Sequence, residues 1–250
     1  MNKKTIKETI KETIIKILVS PTNNCTYRGQ QKNPYIRQVI FLKKIWSGTH
    51  QDFGLERLMR FLCCLFQFIS LSTFIRYIAG KRSFICKKIT IDFYVVLLIL
   101  FPIIVLATKT YNNIAITFLM SYLIADTVIY NLNYIFLSDL IPSSASYTRN
   151  LIGVFCNYIF ILLAFAMFYM NIDCSINCTE NIMSPMQAIY YSTTIQSTLG
   201  FGDIHPNSNL GYIVVVAQTL ISLLFVGVFF SITISKLKEE TFLNKKNKKQ

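Results

Sequence analysis

The residues whose types and spacing could do chemistry lie together in the hexapeptide 198–203, Thr-Leu-Gly-Phe-Gly-Asp. Its two glycines, spaced by one residue, permit backbone angles that a Cβ would oppose, so this strand can turn successive carbonyls the same way. Irregular backbone at membrane depth is tolerated only where it is buried in protein or lines a watery path. A ring of such carbonyls can replace the water shell of a dehydrated monovalent cation. The hexapeptide therefore predicts cation coordination by backbone oxygens.

A short helix, expected over 184–197, must position this hexapeptide. Ser184 can cap the helix, Pro185 suits its first turn, and Gln187 completes a Ser-x-x-Gln capping box. An apolar run follows the hexapeptide over 210–235, and another precedes the short helix. The pattern predicts a short helix that enters the membrane region between two spans and ends at a tight glycine turn.

The segment from about residue 169 to 237 resembles the pore of the tetrameric potassium channel superfamily. The motif Thr-Leu-Gly-Phe-Gly-Asp matches that family's signature, with Leu in place of Val and Phe in place of Tyr. A threonine before the glycines, an aspartate after them, a capped helix upstream and a span downstream make the match specific. The resemblance implies a pore domain over 149–236 that consists of an outer helix (149–172), a pore helix (184–197), a filter (198–203) and an inner helix (210–235).

The resemblance also implies roles for individual residues. The carbonyls of Thr198, Leu199, Gly200 and Phe201, with the Thr198 hydroxyl, would coordinate potassium, and Gly202 would form the outer mouth. Expected support for the filter comes from Asp203, Thr194, Tyr190 and Tyr191. Thr194 stands where some members have a carboxylate that pairs with the filter aspartate; a hydroxyl there could still bond Asp203, but less strongly. Ile195 and Ser197 depart from the family pattern.

On the inner helix, the family's hinge glycine falls near Ser222, and Gly227 lies further along. Both are candidates for the gate, although a glycine in a membrane helix is equally typical of close helix packing.

The implied function is passive, potassium-selective conduction by a homotetramer, because the chain has one filter and the coordination ring needs four. No cofactor is expected beyond the permeant potassium ions. Two alternatives remain open: the pore subunit of a potassium transporter, and a non-conducting subunit that modifies a related channel. An enzyme is disfavoured because the chain has only two histidines and no nucleophile with an obvious base.

Composition and charge place the chain in a membrane. It is 53% hydrophobic and 15% charged, which is too apolar for most soluble domains. Residues 1–90 hold 17 Lys and Arg against 4 Asp and Glu, whereas 91–250 hold eight of each. Such asymmetry predicts a basic cytoplasmic region (1–57) and a basic cytoplasmic tail (237–250). These segments can meet anionic lipid of the inner leaflet, and the expected location is the plasma membrane. Long uncharged runs disfavour a nucleic-acid binder.

The remaining membrane region, 58–148, is expected to contain two spans, 92–108 and 111–137. Basic residues flank the apolar segment 58–79 on both sides, so this segment either lies in the interface or spans. Asp126 lies within the second span, where a helix-packing hydrogen bond is a more frequent role than an ion pathway. The predicted fold is thus an all-α membrane protein whose pore domain is preceded by additional spanning or interfacial helices.

Two further features concern the external loop and gating. Cys174 and Cys178 could form a disulfide or remain free thiols, and Asn177 begins a glycosylation sequon. Residues 111–148 contain no Lys or Arg, whereas a voltage sensor needs arginines repeated along a membrane helix. The sequence therefore predicts weak voltage dependence.

The charge asymmetry generates a topology prediction. We expect both ends of the chain to be cytoplasmic, because an even number of spans, four, separates two basic segments. An engineered cysteine near residue 30, in a chain without native cysteines, should be protected from an impermeant reagent in intact cells and react after permeabilisation. Reaction in intact cells would contradict the four-span topology.

Overall fold

The computed structural model describes residues 34–46, 54–80, 84–136, 147–171, 174–176, 184–231 and 234–235 of the chain. Most of this described part is helical, and two short strands form an antiparallel pair. The helices are α1 (Pro34–Trp46), α2 (Leu55–Ile69), α3 (Leu71–Gly80), α4 (Phe84–Ala107), α5 (Ile114–Phe136), α6 (Tyr147–Asn171), α7 (Pro185–Gln196) and α8 (Asn209–Leu223). Helix α8 continues as a π-helical segment, Leu224–Phe230, and the strands are β1 (Cys174–Ile176) and β2 (Ile204–Pro206).

Four of the described helices are long and apolar enough to cross a membrane: Ile89–Ala107, Ile114–Asn133, Arg149–Asn171 and Asn209–Phe230. They lie close to the four expected spans, and the all-α membrane fold is confirmed. The second begins at Ile114 instead of residue 111, because Thr110–Asn112 form a 3-10 turn after Lys109, whose φ is 55°. This turn separates α4 from α5.

Contacts at opposite ends of α6 show how the first three of these helices alternate. At its start, Arg149 forms an ion pair of 2.6 Å with Asp92, near the beginning of the first span. At its end, Asn171 donates from Nδ2 to the Tyr111 carbonyl at 2.6 Å, in the turn between α4 and α5. Helices α4 and α6 therefore run in the same direction, and α5, which connects them in the chain, runs in the opposite one. This agrees with spans that alternate in direction.

Helix α6 is the helix on which α4, α5, α7 and α8 pack. Half of its most apolar stretch is buried inside the protein, against 22–33% for the other three candidate spans. Its fully buried side chains include Phe160, Ile161 and Met167, which lie in a core shared with α4, α5, α7 and α8. Because α6 contacts both α4 and α7, it joins the first two spans to the short helix before the filter segment.

The apolar segment expected over 58–79 is broken into two helices at Ser70. Ser70 has extended backbone angles (φ −65°, ψ 124°), and its carbonyl accepts the Phe74 amide in the first turn of α3. The Ile69 carbonyl, at the end of α2, accepts the hydroxyl of Tyr122 at 2.7 Å. Neither α2 nor α3 is among the candidate spans of the described residues.

Asp126, within the second span, is buried and caps the start of α3. Its Oδ2 accepts the Ser72 amide at 3.3 Å and the Tyr94 hydroxyl at 3.5 Å. A carboxylate is favourable at a helix N-terminus, where backbone N–H groups lack partners within the helix. The expected packing hydrogen bond of Asp126 is confirmed, and it joins α5 to α3 and α4.

Helix α1 lies in a region for which the sequence predicted no regular element. Its Gln38 donates from Nε2 to Gln67 Oε1 of α2 at 3.2 Å, and its Tyr35 ring contacts that of Tyr77 in α3 at 5.4 Å. Tertiary packing on α2 and α3 therefore explains a helix that sequence periodicity does not reveal. Residues 1–33, Cys178 and the sequon at Asn177 lie outside the described residues.

Candidate functional site

The short helix α7 begins with the capping box that the sequence predicts. Ser184 Oγ accepts the Gln187 amide at 3.3 Å, and Gln187 Oε1 accepts the Ser184 amide at 2.8 Å. Pro185 occupies the first turn, where a missing N–H has no cost. The helix start is therefore specified locally, before any contact with the rest of the molecule.

The end of α7 holds the backbone of the hexapeptide. The Thr194 carbonyl accepts the amides of both Leu199 (2.9 Å) and Gly200 (3.3 Å), and the Ile195 carbonyl accepts the Thr198 amide (3.0 Å). These carbonyls have no partner within the helix, so the hexapeptide satisfies them. The amides of Thr198, Leu199 and Gly200 thus point back at α7. The hexapeptide carbonyls take no part in these bonds.

The backbone of the hexapeptide alternates in handedness. Thr198, Gly200 and Gly202 have φ values of 59°, 51° and 77°, whereas Leu199 and Phe201 are not among the residues with positive φ. Such alternation turns successive N–H groups to one side and carbonyls to the other. For the β-branched Thr198 this conformation is a clear outlier that costs about 1–3 kcal/mol, and strain of this size is typical of functional sites.

In the described part of the chain, a Cβ added at Gly200 or Gly202 would meet no atom within 4 Å other than those of its chain neighbours. Within one chain, the requirement for glycine therefore comes from the backbone angles alone. In the homotetramer that the family resemblance implies, a Cβ at either glycine would in addition approach the other copies of the chain at the four-fold axis.

The apolar side chains of the hexapeptide are exposed on the single chain: Leu199 is 62% and Phe201 65% accessible. The Phe201 ring stacks on Tyr190 of α7, with 6.4 Å between centroids and 6° between planes. Tyr191 points the other way, is buried, and meets Tyr169 edge to face at 4.7 Å. Of the two tyrosines predicted to support the filter, Tyr190 stacks on Phe201 of the hexapeptide, and Tyr191 packs on the outer helix.

Asp203 is bonded by Tyr190 and not by Thr194. The Thr194 hydroxyl, which could bond Asp203, donates instead to the Tyr191 carbonyl of its own helix at 2.8 Å. A hydrogen bond with Asp203 raises the pKa of Tyr190, and loss of hydration and the charge of Asp203 act in the same direction. Sequence reasoning placed Tyr190 behind the filter and did not pair it with Asp203.

Behind α7 lies a buried polar cluster that the sequence did not reveal. Gln218 of α8 donates from Nε2 to the Ser192 carbonyl (3.0 Å), to Ser192 Oγ (2.8 Å) and to Gln196 Oε1 (3.1 Å). Its Oε1 accepts the Tyr169 hydroxyl of α6 at 2.7 Å. The cluster thus joins α6, α7 and α8, and the one signal for it in the sequence is a glutamine within an apolar span, which must face protein.

This region also matches a known family. Residues 157–239, about a third of the chain, match the family model described as "Ion channel". The chain carries an ion-channel pore domain. The match begins within α6 and covers α7, the hexapeptide and α8. No curated protein and no solved structure matches the chain.

The outer end of the pore domain is braced by the strand pair. Strand β2 directly follows Asp203 and pairs with β1, with Ser175 opposite His205 and Ile176 opposite Ile204. Ile204 is buried, whereas His205 is exposed. The pairing ties the chain after the hexapeptide to the segment that follows the outer helix.

The two gate candidates on the inner helix lie in different environments. Ser222 is buried, and its Oγ donates to the Gln196 carbonyl at the end of α7 at 2.5 Å. Gly227 lies in the π-helical segment, and a Cβ there would meet nothing within 4 Å. Close packing within the chain therefore does not explain Gly227, and Ser222 forms a fixed contact with the pore helix. Their gating roles remain predictions.

The Tyr190–Asp203 bond generates a pH prediction for the pore domain. Because its folded pKa is raised, Tyr190 contributes stability that is present below the usual tyrosine pKa of about 10 and is lost as pH rises through the folded value. Tyr190→Phe should therefore lower the melting temperature of the purified protein at pH 7, and this deficit should shrink as the pH rises above about 10. A deficit that stays constant to pH 11, or none at pH 7, would contradict the bond.

Proposed function

We propose that the pore domain is a potassium-selective channel whose filter is 198–203. The observation that carries the proposal is the alternating backbone at Thr198, Gly200 and Gly202, anchored through its amides to the end of α7. Carbonyls of Thr198, Leu199, Gly200 and Phe201 would replace the water shell of potassium, with the Thr198 hydroxyl at the inner end and Gly202 at the outer mouth. The Thr198 hydroxyl bonds the Ser197 carbonyl at 2.7 Å in the single chain, so it would reorient toward the ion.

Homotetramer assembly is part of this proposal. One chain supplies one filter strand, and a ring of carbonyls needs four. The exposure of Leu199 and Phe201 supports it, since apolar side chains beside a water-filled path would be covered by neighbouring copies. Potassium is then the transported ion, and the partner is the chain itself.

We place the channel in the plasma membrane with both ends in the cytoplasm. The exposed face of α2 supports a membrane-surface position for the segment before the spans, because it carries an apolar stripe: Leu55, Leu58, Leu62, Leu65, Phe66 and Ile69. Helices with such a stripe lie in the interface, and nearby basic residues favour anionic lipid of the inner leaflet.

The decisive variant is Gly200→Ala. Alanine opposes the positive φ at this position, so the carbonyl ring should be distorted and selective conduction lost. Gly153→Ala is the matched control, because it makes the same change in α6, where no positive φ is required and nothing lies within 4 Å. The measurement is the potassium-to-sodium permeability ratio of purified protein in planar bilayers.

Wild type and Gly153→Ala are expected to share a high ratio, whereas Gly200→Ala should conduct without preference or not at all. An assembled Gly200→Ala channel with wild-type selectivity would refute the filter assignment. A wild-type protein that assembles but conducts nothing would favour a non-conducting subunit.

Weak voltage dependence is the second functional expectation. Moving one charge through 100 mV supplies about 2.3 kcal/mol, so steep gating needs several charges per subunit. Helix α5 carries no Lys or Arg, and Asp126 is its one acidic residue, held at the start of α3. In symmetric potassium without blocking ions, the current–voltage relation should be nearly linear. A sigmoidal activation curve with several gating charges per channel would contradict the assignment of 58–148.

A further inference from the structure

Gln218 makes an unusually complete set of contacts for a polar residue in an apolar span. Its side chain is fully buried, and both of its amide atoms are bonded. The acceptors of its Nε2, Ser192 and Gln196, lie on α7, whereas the donor to its Oε1, Tyr169, lies on α6. A carboxamide can donate from its nitrogen and accept at its oxygen at the same time. A buried network of this kind is stabilising when it is fully satisfied and costly when one member is lost.

The two α7 residues held by Gln218 bracket the carbonyls that hold the filter. Ser192 and Gln196 belong to the last turn of α7, and Thr194, between them, accepts the amides of Leu199 and Gly200. The inner helix is therefore hydrogen-bonded to the C-terminal end of α7, and the same end of α7 is hydrogen-bonded to the filter backbone. A shift of that turn would move the filter carbonyls with it.

Gln196, the last residue of α7, is fastened from two further directions. Its Nε2 donates to the Tyr158 carbonyl at 2.7 Å, and its own carbonyl accepts the hydroxyls of Tyr158 (3.1 Å) and Ser222 (2.5 Å). These bonds satisfy a helix-terminal carbonyl that would otherwise be buried without a partner. Gln218 and Gln196 therefore both join the outer helix, the pore helix and the inner helix, and Gln218 does so with its side chain alone.

We infer that Gln218 is a positioning residue for ion selectivity, which it determines by fixing the last turn of α7 and hence the filter carbonyls. This inference rests on the proposed function. The filter backbone is held to α7 through its amides, whereas its side chains are exposed at Leu199 and Phe201, and in the described residues a Cβ at Gly200 or Gly202 would meet nothing within 4 Å beyond its chain neighbours. Selectivity depends on carbonyl geometry, so a loosened anchor should act on ion discrimination before it acts on assembly.

The test is Gln218→Met. Methionine keeps an unbranched side chain of similar size, but it is apolar and removes every hydrogen bond of the carboxamide. Thr219→Val is the matched control on the next residue, because the Thr219 hydroxyl bonds the Val215 carbonyl of its own helix. We expect Gln218→Met to lower the potassium-to-sodium permeability ratio by about tenfold, a change equivalent to about 1.4 kcal/mol. Thr219→Val should keep the wild-type ratio.

A second pair of variants separates positioning from general destabilisation. Tyr169→Phe removes the hydroxyl that binds Gln218 Oε1 and retains the ring that meets Tyr191. If Tyr169 acts through Gln218, this variant should lower the ratio less than Gln218→Met, and the double variant should be no worse than Gln218→Met alone. Tyr169→Phe provides the test if Gln218→Met does not assemble.

The outcomes are distinguishable. A selective wild type with unchanged selectivity in assembled Gln218→Met, or in Tyr169→Phe if that is the only variant that assembles, refutes the positioning role and leaves the proposed function intact. Additive losses in the double variant refute the shared pathway. A wild type without potassium selectivity refutes the proposed function itself.

Discussion

The pore domain depends on one constraint: non-helical backbone at membrane depth must have every N–H and C=O satisfied by protein, water or ion. The Thr194 carbonyl meets much of this requirement because it accepts two consecutive filter amides at the end of α7. Once these amides point back at the helix, the carbonyls between the positive-φ residues face away from it. The same bonds that end α7 therefore turn these carbonyls away from the helix, an arrangement that suits a cation.

A polar cluster in an apolar surrounding gives this end of α7 its position. Hydrophobic contacts are poor at fixing one helix against another in lipid, where the alternative environment is equally apolar. Hydrogen bonds from Gln218 and Ser222 of the inner helix, and from Tyr158 of the outer helix, are directional and shielded from water. The inner helix is consequently bonded to α7 through its middle, at Gln218 and Ser222, and the π-helical segment around Gly227 follows these contacts.

Features encoded by neighbouring residues were predictable from the sequence. The capping box at Ser184 and the glycine-dependent turn depend on residues a few positions apart, and four apolar runs gave the spans. Features that join distant residues were not. Gln218 reaches Gln196 across 22 positions and Tyr169 across 49, and no local pattern pairs them.

At two places the structure supplies a partner for a group that the sequence left open. The Thr194 hydroxyl has a carbonyl of its own helix within reach, so it does not need Asp203. The segment 58–79 contains no glycine and no proline, yet its helix breaks at Ser70. The break is stabilised by α5, because Tyr122 bonds the Ile69 carbonyl and Asp126 bonds the Ser72 amide. Tertiary partners supplied the break that the sequence lacked.

The most direct test of this account is a high-resolution structure of the assembled protein in potassium. We expect four copies around an axis, with ion density between successive rings of carbonyls from residues 198–201 and with the side chains of Leu199 and Phe201 directed away from the axis. Replacement of potassium by sodium should weaken that density. An assembly whose axis is lined by the Leu199 or Phe201 side chains, or whose carbonyls do not face ions, would contradict the central claim.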